Sequence, residues 1–365
     1  MSEVFLARLR ASGKDESIPA KVSKLFRRAG LREIIGNRDF VAVKVHFGEM
    51  GNTSFIPPYL VRPIVDEAFE AGGKVFVTDA NTIYLGSRSD AVDHLRTAYA
   101  HGFLPEVVGA PVIIADGLRG ADYVKVPVEG RHFQTANISS AAVHSEVIIG
   151  VSHVKGHLLA GFGGTLKNMG MGFAARSGKQ LQHSDLKPEI DRERCVGCLE
   201  CMRACPAGAI VEKGGRALIR GVVCIGCGEC TATCRFGAIA VQWRTDNVVF
   251  LEKVAEYASA VLSDKRGKCG FFNFIMNVTP DCDCLGWSDA FLVQDIGIAA
   301  STDPVAIDQA SVDLVNAAPG LPGTALSGVD VPDKLRDVHD VPWQRLLEYA
   351  EEIGLGVRKY RLIEI

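Results

Sequence analysis

The sequence lacks several features that would decide its class at once. Neither charge sign is in excess: 40 Lys plus Arg stand against 43 Asp plus Glu, a formal net charge of −3 over 365 residues. A nucleic-acid binder needs a positive field to displace phosphate counterions, and this chain has none. Its longest basic cluster, Lys24 to Arg28, reads as a solvated helix face. No apolar run reaches the roughly 18 residues that suggest a membrane span. The start, Met1 to Arg10, flanks a short apolar stretch with charges and has no apolar signal-peptide segment. These absences predict a cytoplasmic protein without a nucleic-acid partner. Cysteine is also scarce over most of the length: eight of the 11 fall between Cys195 and Cys234. A secreted disulfide scaffold would be short, with cysteines spread throughout, so metal binding in a reducing compartment is the better reading.

What is present is ordinary globular composition, 47% hydrophobic and 23% charged, which excludes disorder and collagen-like structure. At roughly 100–200 residues per domain the length suggests two or three domains. The first 187 residues alternate β-branched runs with helical patterns. Strands are predicted at Phe40–Val45, Lys74–Thr78, Val112–Ala115 and Glu146–Val151, with helices between them at Tyr59–Ala71 and Ser89–Ala100. That alternation marks an α/β fold with a mostly parallel sheet. Each strand ends in polar or glycine-bearing residues: Lys44 and His46, Asp79, Asp116, and Ser152 with His153. Open α/β sheets bind ligands outside these ends, although Asp and Asn also cap helices there. Residues 188–245 break the pattern. It resumes with a helix at Asn247–Val261, strands at Gly270–Val278 and Ala290–Ile298, a helix at Asp303–Asn316 and a last helix at Trp343–Ile353 before a short strand. The expected architecture is a discontinuous α/β domain, 1–187 and 246–365, with a small α+β domain inserted at 188–245.

The cysteine block contains two matching runs. Cys195, Cys198, Cys201 and Cys205 are followed by Pro206; Cys224, Cys227, Cys230 and Cys234 repeat the spacing, with Arg235 in place of the proline. This is the bacterial ferredoxin spacing for two [4Fe–4S] clusters, in which the fourth cysteine of each run ligates the other cluster. Cluster one is therefore assigned Cys195, Cys198, Cys201 and Cys234, and cluster two Cys224, Cys227, Cys230 and Cys205. Zinc sites use paired knuckles rather than triplets with a fourth cysteine. The insert carries eight Lys plus Arg against six Asp plus Glu, which suits service to its own chain or to an acidic partner.

A second constellation surrounds a glycine-rich run. Ser152–His157 supplies His153, Lys155 and His157, and Gly161–Gly172 supplies Gly163, Gly164, Lys167 and Asn168. Successive backbone N–H groups there suit a bound anion, with Lys155 and Lys167 to neutralise it and the histidines to ligate metal or move protons. The alternative is a glycine-rich packing loop with surface cations. It is neither a Walker A nor a dinucleotide fingerprint. Farther on, Cys282 and Cys284 flank Asp283; in an extended strand both would point the same way. With Cys269 or a histidine they would hold an additional metal or incomplete cluster, the alternative being two reduced thiols beside acidic residues.

Taken together, Val43–Glu49, Thr78–Tyr84, Ser152–His157, Gly163–Gly170, the double cysteine run, Asp281–Cys284 and Ser301–Asp308 resemble the family of uncharacterised Fe–S centre proteins that carry domain of unknown function 362. The resemblance spans nearly the whole chain and implies cluster binding without a settled reaction. The expected activity is that of an oxidoreductase. Electrons would pass from the insert to a substrate or cofactor held near Lys44, His46, Asp79, His153, Lys155, His157 and Lys167, and the expected partner is a redox protein or a small-molecule substrate. The alternatives are a non-enzymatic electron carrier or redox sensor using the α/β domain as a docking platform, and a metal or cluster carrier using Cys282 and Cys284.

Overall fold

The computed structural model describes residues 1–84, 86–183, 187–240 and 246–365. Eight apolar runs pair into one sheet: β1 (Ser2–Arg8), β2 (Phe40–Lys44), β3 (Lys74–Asp79), β4 (Val112–Ile114), β5 (Val147–His153), β6 (Cys269–Ile275), β7 (Gly297–Ser301) and β8 (Tyr360–Glu364). Their order is β8-β1-β7-β6-β5-β2-β3-β4. β7 runs against both of its neighbours, and every other adjacent pair is parallel. Side chains alternate across the sheet: Val41 and Val43 enter one core while Ala42 enters the other. Both faces are covered, which is why these strands read as nearly continuous apolar runs.

Helices α1 (Ile18–Arg28) and α2 (Pro58–Glu70) seal one face with Val22, Leu25, Phe26, Leu60 and Ile64. Helix α3 (Ala91–Ala100) follows β3, with Asp90 capping its first turn. The opposite face takes α4 (Thr165–Gly170), α6 (Asn247–Leu262), α7 (Pro304–Ala317) and α8 (Gln344–Glu352). Helix α5 (Arg176–His183) leads to the cysteine-rich segment. No helix among the described residues is long and apolar enough to cross a membrane.

The strand expected at Ala290–Ile298 is largely a loop, and only its last two residues enter β7. Asp295 accepts a hydrogen bond from the Asn277 backbone, and Leu292 donates to Val278, so Leu292, Val293 and Ile296 are buried without extending the sheet while Ala290 and Phe291 stay exposed. β1, in contrast, forms from the short apolar stretch near the start.

Sheet strands come from both sides of residues 187–240, which form a small lobe. Glu189–Ile190 pairs with Ile239–Ala240, and Ile210–Lys213 pairs with Arg216–Ile219. The expected end of the insert, 241–245, lies outside the described residues, as does Ser184 beside His183. The lobe repeats its own backbone 29 positions on. Gly197 and Gly226 share a left-handed conformation, as do Leu199 and Gly228. Asp191 N donates to Ala238 O, and Arg220 N donates to Ala209 O, each at 2.7 Å. Each half therefore completes the other.

Candidate functional site

The carboxyl ends of β2, β3, β5 and β6 open into a cavity of about 480 Å³. It is lined by His46, Asp79, His153, Lys155, His157, Gly163, Gly164, Lys167, Asn168, Cys282 and Cys284, so the residues singled out from distant segments meet at one place. Lys44 lies just beneath, fully buried, and donates to Asp79 Oδ1 and to Asn168 Oδ1, both at 2.9 Å. Its location follows from register: Lys44 is the last residue of β2 and pairs with Thr78, so its neighbour across the ladder is one residue from Asp79.

Asp79 is the electrostatic centre of one wall. Burial opposes its charge, but Lys44, His94 and His46 outweigh burial and hold the carboxyl well below its usual range. Arg88, only 2% exposed, reaches Asp79 at 3.5 Å and Glu49 at 3.2 Å, and donates to the Tyr84 hydroxyl at 2.7 Å. Burial and the Arg88 charge push His46 well below its ordinary value. Arg88 and His94 carry no motif, and Glu49, although it ends the Val43–Glu49 segment, was given no role, so sequence reasoning missed all three as site residues.

Cys282 and Cys284 come together through a turn rather than an extended strand. Leu285 N donates to Cys282 O at 3.0 Å, and the intervening Asp283 points away from the cavity. His153 Nδ1 lies 2.9 Å and Lys155 Nζ 3.0 Å from its carboxylate, and Ser54 Oγ donates to it at 3.1 Å. His153 Nε2 faces the Met276 and Asn277 carbonyls, so the ring donates from both nitrogens. Burial works against the Asp283 charge, yet His153 and Lys155 hold it far below the usual carboxylate range. Lys155 rises above its ordinary value in spite of burial because Asp283 and Cys282 outweigh it.

The two sulfurs and one ring nitrogen of His157 lie within 4.8 Å of one another, a spacing compatible with one metal ion. The hydrogen bonds of His157 oppose that use. Its Nδ1 accepts from Leu159 N and Ala160 N, both at 3.1 Å, so the neutral ring carries its proton on Nε2. Burial and Lys167 push His157 down to about 4. The Cys282–Cys284 pair shares a proton: hydrogen bonding from Cys284 holds Cys282 well below a normal thiol against burial, helped by Lys167 and His157, while Cys284 moves up. Cys269, considered as a third ligand, begins β6 at the far end of that strand, roughly 20 Å away at about 3.3 Å per residue. Its sulfur bonds Lys265 O, and burial pushes its thiol up to about 12.

The glycine-rich run is explained chiefly by close packing. At the start of α4, Thr165 N and Leu166 N donate to buried Asp308 at 2.7 and 2.9 Å, so these groups are not open to an anion. A Cβ on Gly164 would stand 2.4 Å from Asp308 Oδ1, and one on Gly156 would stand 1.9 Å from Pro280 O. Close packing against Asp308 thus accounts for Gly164, while Gly163 lines the cavity with its Cα facing the flexible Lys155 side chain. Lys167 is different: among the described residues its ammonium has one hydrogen-bond partner, Cys282 Sγ at 3.8 Å.

In the lobe, Cys195, Cys198, Cys201 and Cys234 line one small cavity, and Cys205, Cys224, Cys227 and Cys230 line a second. Burial and neighbouring thiolates push Cys201, Cys227 and Cys230 upward, the last to about 12. Four thiolates gathered this way need a positive partner, so the donor set fits a cationic iron–sulfur core. The lobe seats on α5: Arg176 donates to Ala232 O at 2.6 Å, and Gln180 packs against Gly228. Tyr123 adds a 2.5 Å bond to Glu229. The same helix presents Lys179 and His183 to the large cavity. Burial lowers Lys179 to about 8, partly offset by Asp116.

Fold and site thus define a mixed α/β protein with a ligand-sized cavity at its strand ends. The chain belongs to the family described as Domain of unknown function (DUF362), which matches residues 41–313. No curated protein matches the sequence. Among solved structures it is similar to the lactate racemase apoprotein from Thermoanaerobacterium thermosaccharolyticum, at TM-score 0.38 and 14% identity, over 74% of this chain and 50% of that one. It is also similar to a protein from Thermotoga maritima, at TM-score 0.36 and 10% identity, over 73% and 52% of the two chains. The chain spans about half the length of each, and likeness at this level carries no chemistry across.

Proposed function

We propose that the chain binds two [4Fe–4S] clusters, one on Cys195, Cys198, Cys201 and Cys234 and one on Cys205, Cys224, Cys227 and Cys230. In this reading it is an oxidoreductase that moves electrons between this ferredoxin-like lobe and a substrate in the strand-end cavity. The observation that carries the reading is the crossed thiol set around each small cavity. When bound, such clusters supply one-electron transfer at low potential. The chain's own residues do the rest. α5 joins the lobe to the cavity wall, Lys167 offers a cation to a substrate anion, and the Asp79 and Asp283 networks hold the remaining charges fixed. A cavity of about 480 Å³ favours a substrate site over a bare docking platform.

Anaerobic purification with iron and sulfide analysis tests the proposal. About eight irons and eight sulfides per chain are expected, with an EPR signal on reduction. Cys198→Ala should lower both counts toward half. Zinc in place of iron, or no sulfide, would overturn the reading. The alternative, a metal or cluster carried by Cys282 and Cys284, rests on the 4.8 Å grouping with His157. It predicts metal beyond those eight irons that Cys282→Ser removes.

A further inference from the structure

We propose that Cys282 and Cys284 are a reversible dithiol–disulfide pair, the two-electron station of the cavity, and that it exchanges with a small disulfide bearing carboxylates. The electron supply to this station rests on the cluster reading above; the thiol chemistry does not.

The geometry supports this use over a metal site. One residue separates the two cysteines, and the turn closed by Leu285 N turns both sulfurs into the cavity within 4.8 Å of each other. The backbone on either side is fixed. Asp283 is held by His153, Lys155 and Ser54, its carbonyl accepts from Glu49 N at 2.8 Å, and Pro280 O accepts from His339 at 2.8 Å. A sulfur–sulfur bond of about 2.05 Å requires the two sulfurs to close from within 4.8 Å against this held frame. The third group in the cluster, His157, has its Nδ1 lone pair engaged by two backbone N–H groups, so Nε2 is a donor and not a ligand. A donor beside a sulfur assists departure of a thiolate; it does not hold a metal ion.

The surroundings also select the co-reactant. Of the cations on the cavity wall, Arg88 is paired with Glu49 and Asp79, and Lys155 with Asp283. Neither Lys167 nor Lys179 has a carboxylate ion pair among the described residues, but Lys179 donates to the Ala174 carbonyl while Lys167 stands 3.8 Å from Cys282. A carboxylate on the substrate would pair with Lys167 and bring a neighbouring sulfur to Cys282.

The steps balance. Cys282 thiolate attacks one substrate sulfur; the substrate S–S bond breaks, and one half leaves as a thiolate that takes a proton. Cys284, losing its proton, attacks the Cys282 sulfur and releases the other half as a thiol. The product is a Cys282–Cys284 disulfide and two substrate thiols. Two electrons, one drawn by way of each cluster from an external one-electron donor, and two protons from solvent restore the dithiol. Two one-electron carriers matched to one two-electron pair give the chain a reason to hold both.

The test uses the anaerobic holoprotein with glutathione disulfide as probe, followed by acid quench, alkylation and mass spectrometry. Expected is a peptide carrying Cys282 and Cys284 unalkylated and lighter by the two thiol hydrogens, reversed by dithiothreitol. Cys284→Ser should instead trap a glutathione adduct on Cys282, and Cys282→Ser should give neither. Glutathione disulfide should react about tenfold faster than the cationic disulfide cystamine, and Lys167→Met should abolish that preference. Both cysteines alkylated under every condition would overturn the proposal, as would bound metal beyond eight irons that Cys282→Ser removes. In the disulfide form of the holoprotein, clusters reduced by an added one-electron donor should lose their EPR signal as the dithiol returns. If the disulfide forms and that signal persists, the electron supply fails while the dithiol stands. If iron is absent from the lobe, the cluster reading fails independently.

Discussion

In the lobe, eight thiols between Cys195 and Cys234 are gathered by two copies of one local turn. In the cavity, Cys282 and Cys284 meet groups delivered by strand ends, such as His46 and His153, and by helix α5, which brings Lys179 and His183. The lobe's buried apolar core is Cys201, Ile210, Ala217, Cys230 and Ile239, two of which are themselves thiols. The body has an extended core on each face of an eight-stranded sheet. In the proposed reading, one region draws its order from the clusters it binds, and the other from packing that exists beforehand. Metal should matter to the first as folding energy and to the second hardly at all.

The largest effect should come from stripping iron. Chelation under air, read by hydrogen exchange and limited proteolysis, should open residues 187–240 while β2, β5 and β6 stay protected. Equal loss of protection in both regions would break the contrast. Next comes Asp283→Asn, which leaves Lys155 and His153 buried beside an uncharged partner. It should cost about 3–5 kcal/mol in urea unfolding of the body, with iron content unchanged. Gly164→Ala sharpens the packing argument: with Asp308 Oδ1 2.4 Å from the new Cβ, a loss of about 1–3 kcal/mol in the same assay is expected. A neutral result would return the glycine run to ligand binding. The smallest effect concerns Glu67, between α1 and α2. Burial would raise its carboxyl, but Arg27 and Arg32 outweigh burial and hold it low. Its stabilisation is complete above the ordinary glutamate value near about 4.3 and is lost as pH falls through the lowered folded value. Protection factors in α1 and α2, corrected for the intrinsic pH dependence of exchange, should therefore fall on acidification, and Glu67→Gln should flatten that slope.

Legibility followed the same division. The strands from Phe40, Lys74 and Gly270 were readable because burial on both faces leaves a continuous apolar run, and the thiol spacing was readable because its geometry is local. The polar strand ends were readable as a set, since the sheet aligns them in register. The stretch from Ala290 was not, because apolar composition reports burial and cannot tell a packed loop from a strand. Arg88 and Glu49 were equally hidden: an ion pair formed across a fold leaves no spacing in the chain. The run from Gly161 to Gly172 fits a nest and a tight contact equally well in sequence, and only Asp308, more than a hundred residues on, separates them.

Helix α5 has a consequence of its own. One side seats the loop around Gly228, while Lys179 and His183 on the same helix face the cavity. Thermodynamic linkage makes any influence carried by such a shared element run both ways. With the proposed clusters bound, a small molecule that shifts α5 would alter the lobe's grip on iron by some factor, and loading with iron would alter the affinity for that molecule by the same factor. Occupancy of either place is then a report on the other, so iron retention during chelation gives an assay for cavity ligands that requires no knowledge of the reaction.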